Sequence, residues 1–159
     1  MVGAPADDSP ETDSGSVFVF TRTNELWDKT AQLAPSGRIY TLANNRFGES
    51  VSIEDNRIYI GATGDWTTNG TDSGAVYIFS LNNETWVEEG RISASDGAEG
   101  DKFGWALSVF NETVVVGAPY NDSNGTESGA AYVYVRDVSG DWYEETKLTA
   151  NDAAFNDNF

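Results

Sequence analysis

The stretch FGWALSVFNETVVVGAP, residues 103–119, decides how this chain is read. It opens on a Phe-Gly pair, runs through two short apolar segments parted by a polar turn at Asn111-Glu112, and closes on Gly117-Ala118-Pro119. Every marker in it returns elsewhere. Phe47-Gly48 precedes it by one copy, and Phe159 falls where the next copy belongs. Val116-Gly117-Ala118-Pro119 matches Val2-Gly3-Ala4-Pro5 and Ile60-Gly61-Ala62-Thr63. Working outward, Asp13-Ser14-Gly15, Asp72-Ser73-Gly74 and Glu127-Ser128-Gly129 occupy one place, as do Trp27, Trp86 and Trp142, each followed six residues later by Leu33, Ile92 or Leu148. The markers recur every 55 to 59 residues in unchanged order. Self-similarity at that period is the signature of a repeat architecture.

Each full copy reads as four short strands. The first follows Phe-Gly (Ser50 to Ile53, Ala106 to Val109), and the second ends in the Gly-Ala turn (Arg57 to Ile60, Thr113 to Val116). The third alternates aromatic and β-branched residues, as in Val76-Tyr77-Ile78-Phe79 and Tyr132-Val133-Tyr134-Val135, which suits buried sheet. The fourth starts at the tryptophan and is rich in Glu, a composition for an exposed edge. Four-stranded units of this length in tandem predict an all-β chain of β-propeller-type antiparallel blades. A stacked β-solenoid is the alternative, with shorter coils than these. The spacing places blade 1 at about 1–46, blade 2 at about 47–102 and blade 3 at about 103–158, all within one repeat domain, 1–159. Blade 1 lacks its inner strand, and three blades make an incomplete ring, since propellers have about four to eight. Further repeats of a parent chain, or assembly into a homo-oligomer, would close it.

Composition narrows the chemistry. Twenty-six acidic residues against nine basic ones give a net charge of −17, which repels phosphate backbones and argues against nucleic acid. With neither Cys nor His, thiol chemistry, Cys/His zinc sites and His-based triads are excluded. A bound metal would need oxygen ligands, which points to calcium or magnesium, with Ca²⁺ the candidate cofactor. No run approaches the roughly 18 apolar residues of a membrane span, so membrane insertion is not expected. The chain opens inside a repeat, at the second strand, with no signal peptide before it.

The paired Phe-Gly and Gly-Ala-Pro motifs resemble the FG-GAP repeat, found in the head of integrin α chains and in secreted microbial proteins. The resemblance covers nearly the whole chain and implies an extracellular or cell-surface propeller segment for adhesion, assembly or protein–protein binding, without enzymatic activity. The family's Asp-rich calcium loop between first and second strands is not matched. Those connections here are Glu54-Asp55-Asn56-Arg57 and Phe110-Asn111-Glu112-Thr113, too short for it.

The connections from second to third strand and from fourth to first leave one end of each sheet, and both are acidic. Asp65, Asp96, Asp101, Asp122, Asp152 and Asp157 are the candidate calcium ligands on that rim. The alternative is that such residues close turns on their own backbone. Trp66 breaks the repeat pattern in a rim loop and is the candidate contact for a protein or glycan ligand. Trp105 also departs from the pattern and is expected near the axis, while Trp27, Trp86 and Trp142 are expected to be structural. Sequons at Asn69, Asn83, Asn111, Asn121 and Asn124 fall in predicted turns, where glycosylation is sterically open. Three functions compete: a protein-binding surface segment, a lectin-like glycan binder that uses calcium, and a carboxylate-pair hydrolase. The last has no pair that the sequence singles out.

Overall fold

The computed structural model describes residues 1–36 and 43–159. Eleven strands form three antiparallel sheets: β1 (Val2–Ala4), β2 (Ser16–Thr23) and β3 (Leu26–Leu33); β4 (Phe47–Glu54), β5 (Arg57–Ala62), β6 (Ala75–Asn82) and β7 (Thr85–Ile92); β8 (Ala106–Phe110), β9 (Thr113–Ala118), β10 (Ala130–Arg136) and β11 (Trp142–Leu148). Each sheet is an up-and-down meander with neighbours in chain order. The described residues contain no helix, and the sheets do not close into a barrel. This is the incomplete propeller architecture that the repeat spacing predicts.

The local chemistry explains the hairpins. Asn24-Glu25, Asn83-Glu84 and Asn111-Glu112 turn with both residues at positive φ (48° and 69°, 47° and 65°, 47° and 59°). That is the backbone of a tight primed turn, whose twist matches the strands it joins, and asparagine tolerates it best among non-glycine residues. The pairing of third with fourth strand carries a bulge at the same place in every sheet, at Val19/Phe20, Ile78/Phe79 and Val133/Tyr134.

The core lies between sheets. One cluster joins the first and second through Val17, Val19, Leu33, Phe47, Ile60 and Tyr77. The other joins the second and third through Tyr59, Ile78, Ile92, Phe103, Val116 and Tyr132. In each, the Phe of Phe-Gly stands edge-on to two rings of the third strand of its own repeat. Phe47 meets Tyr77 and Phe79 at 5.4 and 6.0 Å between centroids, and Phe103 meets Tyr132 and Tyr134 at 5.5 and 5.9 Å. Edge-to-face pairs of this kind add about 0.5–1.5 kcal/mol each beyond burial.

Adjacent sheets are also clasped through main chain. Asn44, Arg46 and Phe47 donate their N–H groups to the carbonyls of Thr12, Asp13 and Ser14 (2.8, 3.0 and 3.1 Å). Gly100, Lys102 and Phe103 repeat this on Thr71, Asp72 and Ser73, and Asn156, Asn158 and Phe159 on Thr126, Glu127 and Ser128. The Ser-Gly marker is explained by the second of these clasps: Gly74 sits at φ 85°, and a Cβ there would collide with the Phe103 carbonyl oxygen.

Two faces have no sheet against them among the described residues. The first sheet presents Val2, Phe18, Phe20 and Trp27, with Trp27 65% exposed. Its counterparts Trp86 and Trp142 are packed against the inter-sheet cores. Trp27 is thus the structural position of its repeat without the partner that would bury it. The third sheet presents an exposed Leu148 and, around a hollow of about 420 Å³, Val115, Ala131 and Phe159. Trp105 lines that hollow and stands edge-on to Tyr120 (5.9 Å); it is exposed rather than packed near an axis, with no sheet over that face among the described residues.

Candidate functional site

The loops between second and third strands and those between fourth and first leave the same end of the sheets, and the main-chain clasps bind one set to the other. Beneath this rim each full repeat holds a buried polar lock.

In the second sheet, Asn45 precedes Phe-Gly by two residues and Asp65 follows Gly-Ala by three. The Asn45 amide Nδ2 donates to Asp65 Oδ1 (3.1 Å), while the Tyr77 hydroxyl and Arg91 Nη1 donate to Asp65 Oδ2 (2.9 and 2.7 Å). Asp65 is fully buried. A buried carboxylate is tolerable only with such a complement of donors.

In the third sheet the same two places are held with their residues exchanged, Asp101 before Phe-Gly and Asn121 after Gly-Ala. Asn121 Nδ2 donates to Asp101 Oδ2 (2.7 Å), and the Ala98 N–H donates to the same oxygen (2.9 Å). Lys147, at the place of Arg91, donates to Asn121 Oδ1 (2.9 Å) and to Asp96 Oδ2 (2.7 Å), and the Tyr132 hydroxyl donates to Asp96 Oδ1 (2.8 Å). Burial pushes the Asp101 carboxyl above the usual range, against the pull of its two donors. Burial pushes Asp96 the same way, but the Lys147 and Tyr132 bonds outweigh it and hold this carboxyl below its usual range. Burial and the Asp96 carboxylate both raise the Tyr132 hydroxyl far above its ordinary value, so it stays a donor.

The six acidic candidates therefore do not share one fate. Asp65 and Asp101 are sunk beneath the rim and occupied by the locks; Asp96 is held by Lys147 and Tyr132. Asp122 Oδ1 accepts the Glu127 N–H (2.7 Å) and Asp157 Oδ2 accepts the Ala154 N–H (2.7 Å), which are turn-closing bonds. Asp152 is exposed. No three carboxylates converge into a cation cage among the described residues.

What the rim does offer is a pocket of about 430 Å³ lined by Asn44, Arg46, Trp66, Thr71, Asp72 and Lys102. Trp66 is 38% exposed, and its carbonyl accepts from Arg91 Nη1 (3.5 Å). Arg46 is paired with Glu49 (2.7 Å) and Lys102 with Asp72 (2.6 Å). Two of the chain's nine basic residues thus flank an accessible indole on an otherwise acidic molecule. The sequence signals Trp66 through its break with the repeat; the cations beside it are the residues before each Phe-Gly, which nothing in the sequence marks as neighbours of that loop.

The sequons divide by exposure. Asn83, Asn111 and Asn124 are exposed. Asn69 is half-buried with its amide on the Ala94 carbonyl (2.9 Å). Asn121 is 3% exposed with its amide nitrogen inside the lock, so the folded chain cannot present it to a glycosyl transferase.

Three meander sheets stacked face to face, the second and third announced by Phe-Gly and all three carrying Gly-Ala at the end of their second strand, define a β-propeller-type repeat protein. The family described as FG-GAP repeat matches residues 27–79 and 86–134, and the chain belongs to it. Comparison with curated proteins returned no match. The repeat is a β-propeller-type protein-binding module of a family that is generally non-catalytic and typically extracellular. No described helix is long and apolar enough to cross a membrane.

Proposed function

We propose that the chain is a non-enzymatic segment of an extracellular or cell-surface propeller, and that it engages protein partners through its loop rim for adhesion or assembly. The observation that carries this reading is the Trp66 pocket, where an accessible indole stands between Arg46 and Lys102. Tryptophan and arginine are the residues most often found at the energetic centre of protein interfaces, because each combines a large contact area with directional bonding. The surrounding acidic loops would steer a partner that carries basic groups around an acidic or aromatic centre.

The second reading is a glycan in the same pocket. An indole face with Asn44, Asp72 and Thr71 beside it is suited to a sugar ring and its hydroxyls. Parallel screens against arrayed ectodomain proteins and arrayed glycans separate the two. Protein hits lost on Trp66→Ala support the first reading. Glycan hits lost on the same change, with the protein array blank, replace it with the second. Hits that survive Trp66→Ala on both arrays remove the pocket from the function altogether.

A further inference from the structure

The two faces left without a sheet among the described residues match each other in shape class but clash in charge. On the first sheet, Val2, Phe18, Phe20 and Trp27 hold the places that Ile60, Tyr77, Phe79 and Trp86 use to cover the sheet before them. On the third sheet, Val115, Ala131, Val133, Leu148 and Phe159 hold the places of Tyr59, Val76, Ile78, Ile92 and Phe103, the residues covered by the sheet that follows. Apolar contact alone would therefore let a second copy seat its first sheet on the third.

That seating would also assemble a lock. Asp157 lies two residues before Phe159, as Asp101 lies before Phe103, and is held in the same way: its Oδ2 accepts from Ala154 N as Asp101 Oδ2 accepts from Ala98 N. The Asn158 and Phe159 N–H groups clasp Glu127 and Ser128 as those of Lys102 and Phe103 clasp Asp72 and Ser73. Asp7 stands at the other place, its carbonyl accepting from Gly15 N (2.9 Å) as those of Asp65 and Asn121 accept from Gly74 and Gly129 (3.1 and 3.0 Å). Both complete locks pair one amide with one carboxylate. The composite would pair two carboxylates. It would also lack the hydroxyl and the cation of the complete locks, since Phe18 stands at the place of Tyr77 and Tyr132, and Gln32 at that of Arg91 and Lys147.

We propose that the amide–carboxylate pair is a selector of neighbours. The open face of the third sheet takes a sheet of this same repeat that carries asparagine at the place of Asn121, and it refuses the first sheet of another copy, which carries Asp7. The selector acts where burial denies two carboxylates the water that would otherwise screen them, so that like charges brought together there weigh against association. This is independent of what the rim binds.

The test is sedimentation velocity at neutral pH over a range of concentrations, with the whole chain and its variants. The wild type stays monomeric. Asp7→Asn makes its own first sheet an acceptable neighbour and produces head-to-tail assembly, with association tightened more than about tenfold. Asp157→Asn does the same by the opposite exchange, recreating the order seen in Asn45 and Asp65. Asn can keep the turn bonds now made by each carboxylate, to Ser9 N and Ala154 N, and melting curves check that both variants fold. Adding Leu148→Asp to either one returns a monomer. Wild type that assembles as strongly as Asp7→Asn overturns the proposal, as do two single variants that sediment like the wild type. Assembly that persists with Leu148→Asp overturns the assignment to this face.

Discussion

The polar locks of the second and third sheets do one job with opposite residues. In the second, the amide comes before Phe-Gly and the carboxylate after Gly-Ala; in the third they change places. The difference shows what the fold requires. It needs a donor facing an acceptor across two loops, and it is indifferent to which loop supplies which. The cation is less interchangeable. Arg91 binds the lock carboxylate itself, whereas Lys147 binds the lock amide and a further carboxylate, Asp96. The third lock therefore gathers two carboxylates around one cation, and the second gathers one.

That asymmetry can be broken most forcibly by Asn121→Asp. It sets a second carboxylate against Asp101 and makes Lys147 serve both the new carboxylate and Asp96, three carboxylates around one cation, and is expected to cost about 3–5 kcal/mol in a urea titration. Asn45→Asp makes the same error in the second sheet, but Arg91 lies on Asp65, so the loss is smaller. Equal losses would mean the cations do not distinguish the locks. Tyr132→Phe removes the hydroxyl that donates to Asp96 and is expected to cost about 1.5–3 kcal/mol, as a bond to a charged acceptor does.

The exchange Asp101→Asn with Asn121→Asp sharpens the comparison in the other direction. It rewrites the third lock in the order of the second, and the double variant is expected to fall within about 1 kcal/mol of wild type, although Asn121→Asp alone does not. A double variant no better than the single one would show that the loops, and not the pair, fix the order.

Acid gives the smallest effect and separates the two carboxylates by sign. Asp96 has its folded pKa lowered, so its contribution is present above the unfolded value of about 4 and is lost as pH falls through the folded one. The stability gap between wild type and Asp96→Asn should close below about pH 4. Asp101 has its folded pKa raised, so its contribution is full below the unfolded value and is lost as pH rises through the folded one. Wild type should gain on Asp101→Asn as pH falls over that interval.

The repeat was legible in sequence because its markers are tied to backbone demands. Phe-Gly and Ser-Gly recur since each Phe nitrogen clasps a Ser carbonyl and the facing glycine has no room for a Cβ. That Asp65 and Asp101, candidates for the rim, lie buried in the locks was not legible for the opposite reason: an aspartate in a polar loop carries no mark of burial. The mark lies in the alignment of repeats. Asn45 stands against Asp101 and Asp65 against Asn121, an exchange in step that points to a pair, with Arg91 and Lys147 aligned beside it. Trp27 was legible as a structural position; that its face stands open is a property of the stack and not of the residue.

The clasp between sheets bears on how such a chain can grow. Its three hydrogen bonds are drawn from peptide groups, and side chains as different as Asp72 and Glu127, or Arg46, Lys102 and Asn158, occupy it without altering it. A joint made of main chain is inherited intact by any duplicated segment, whatever substitutions follow. Copies are then free to diverge in their loops from the first generation, and what must be edited before a newcomer fits its place in the row is the small polar pair beneath the rim.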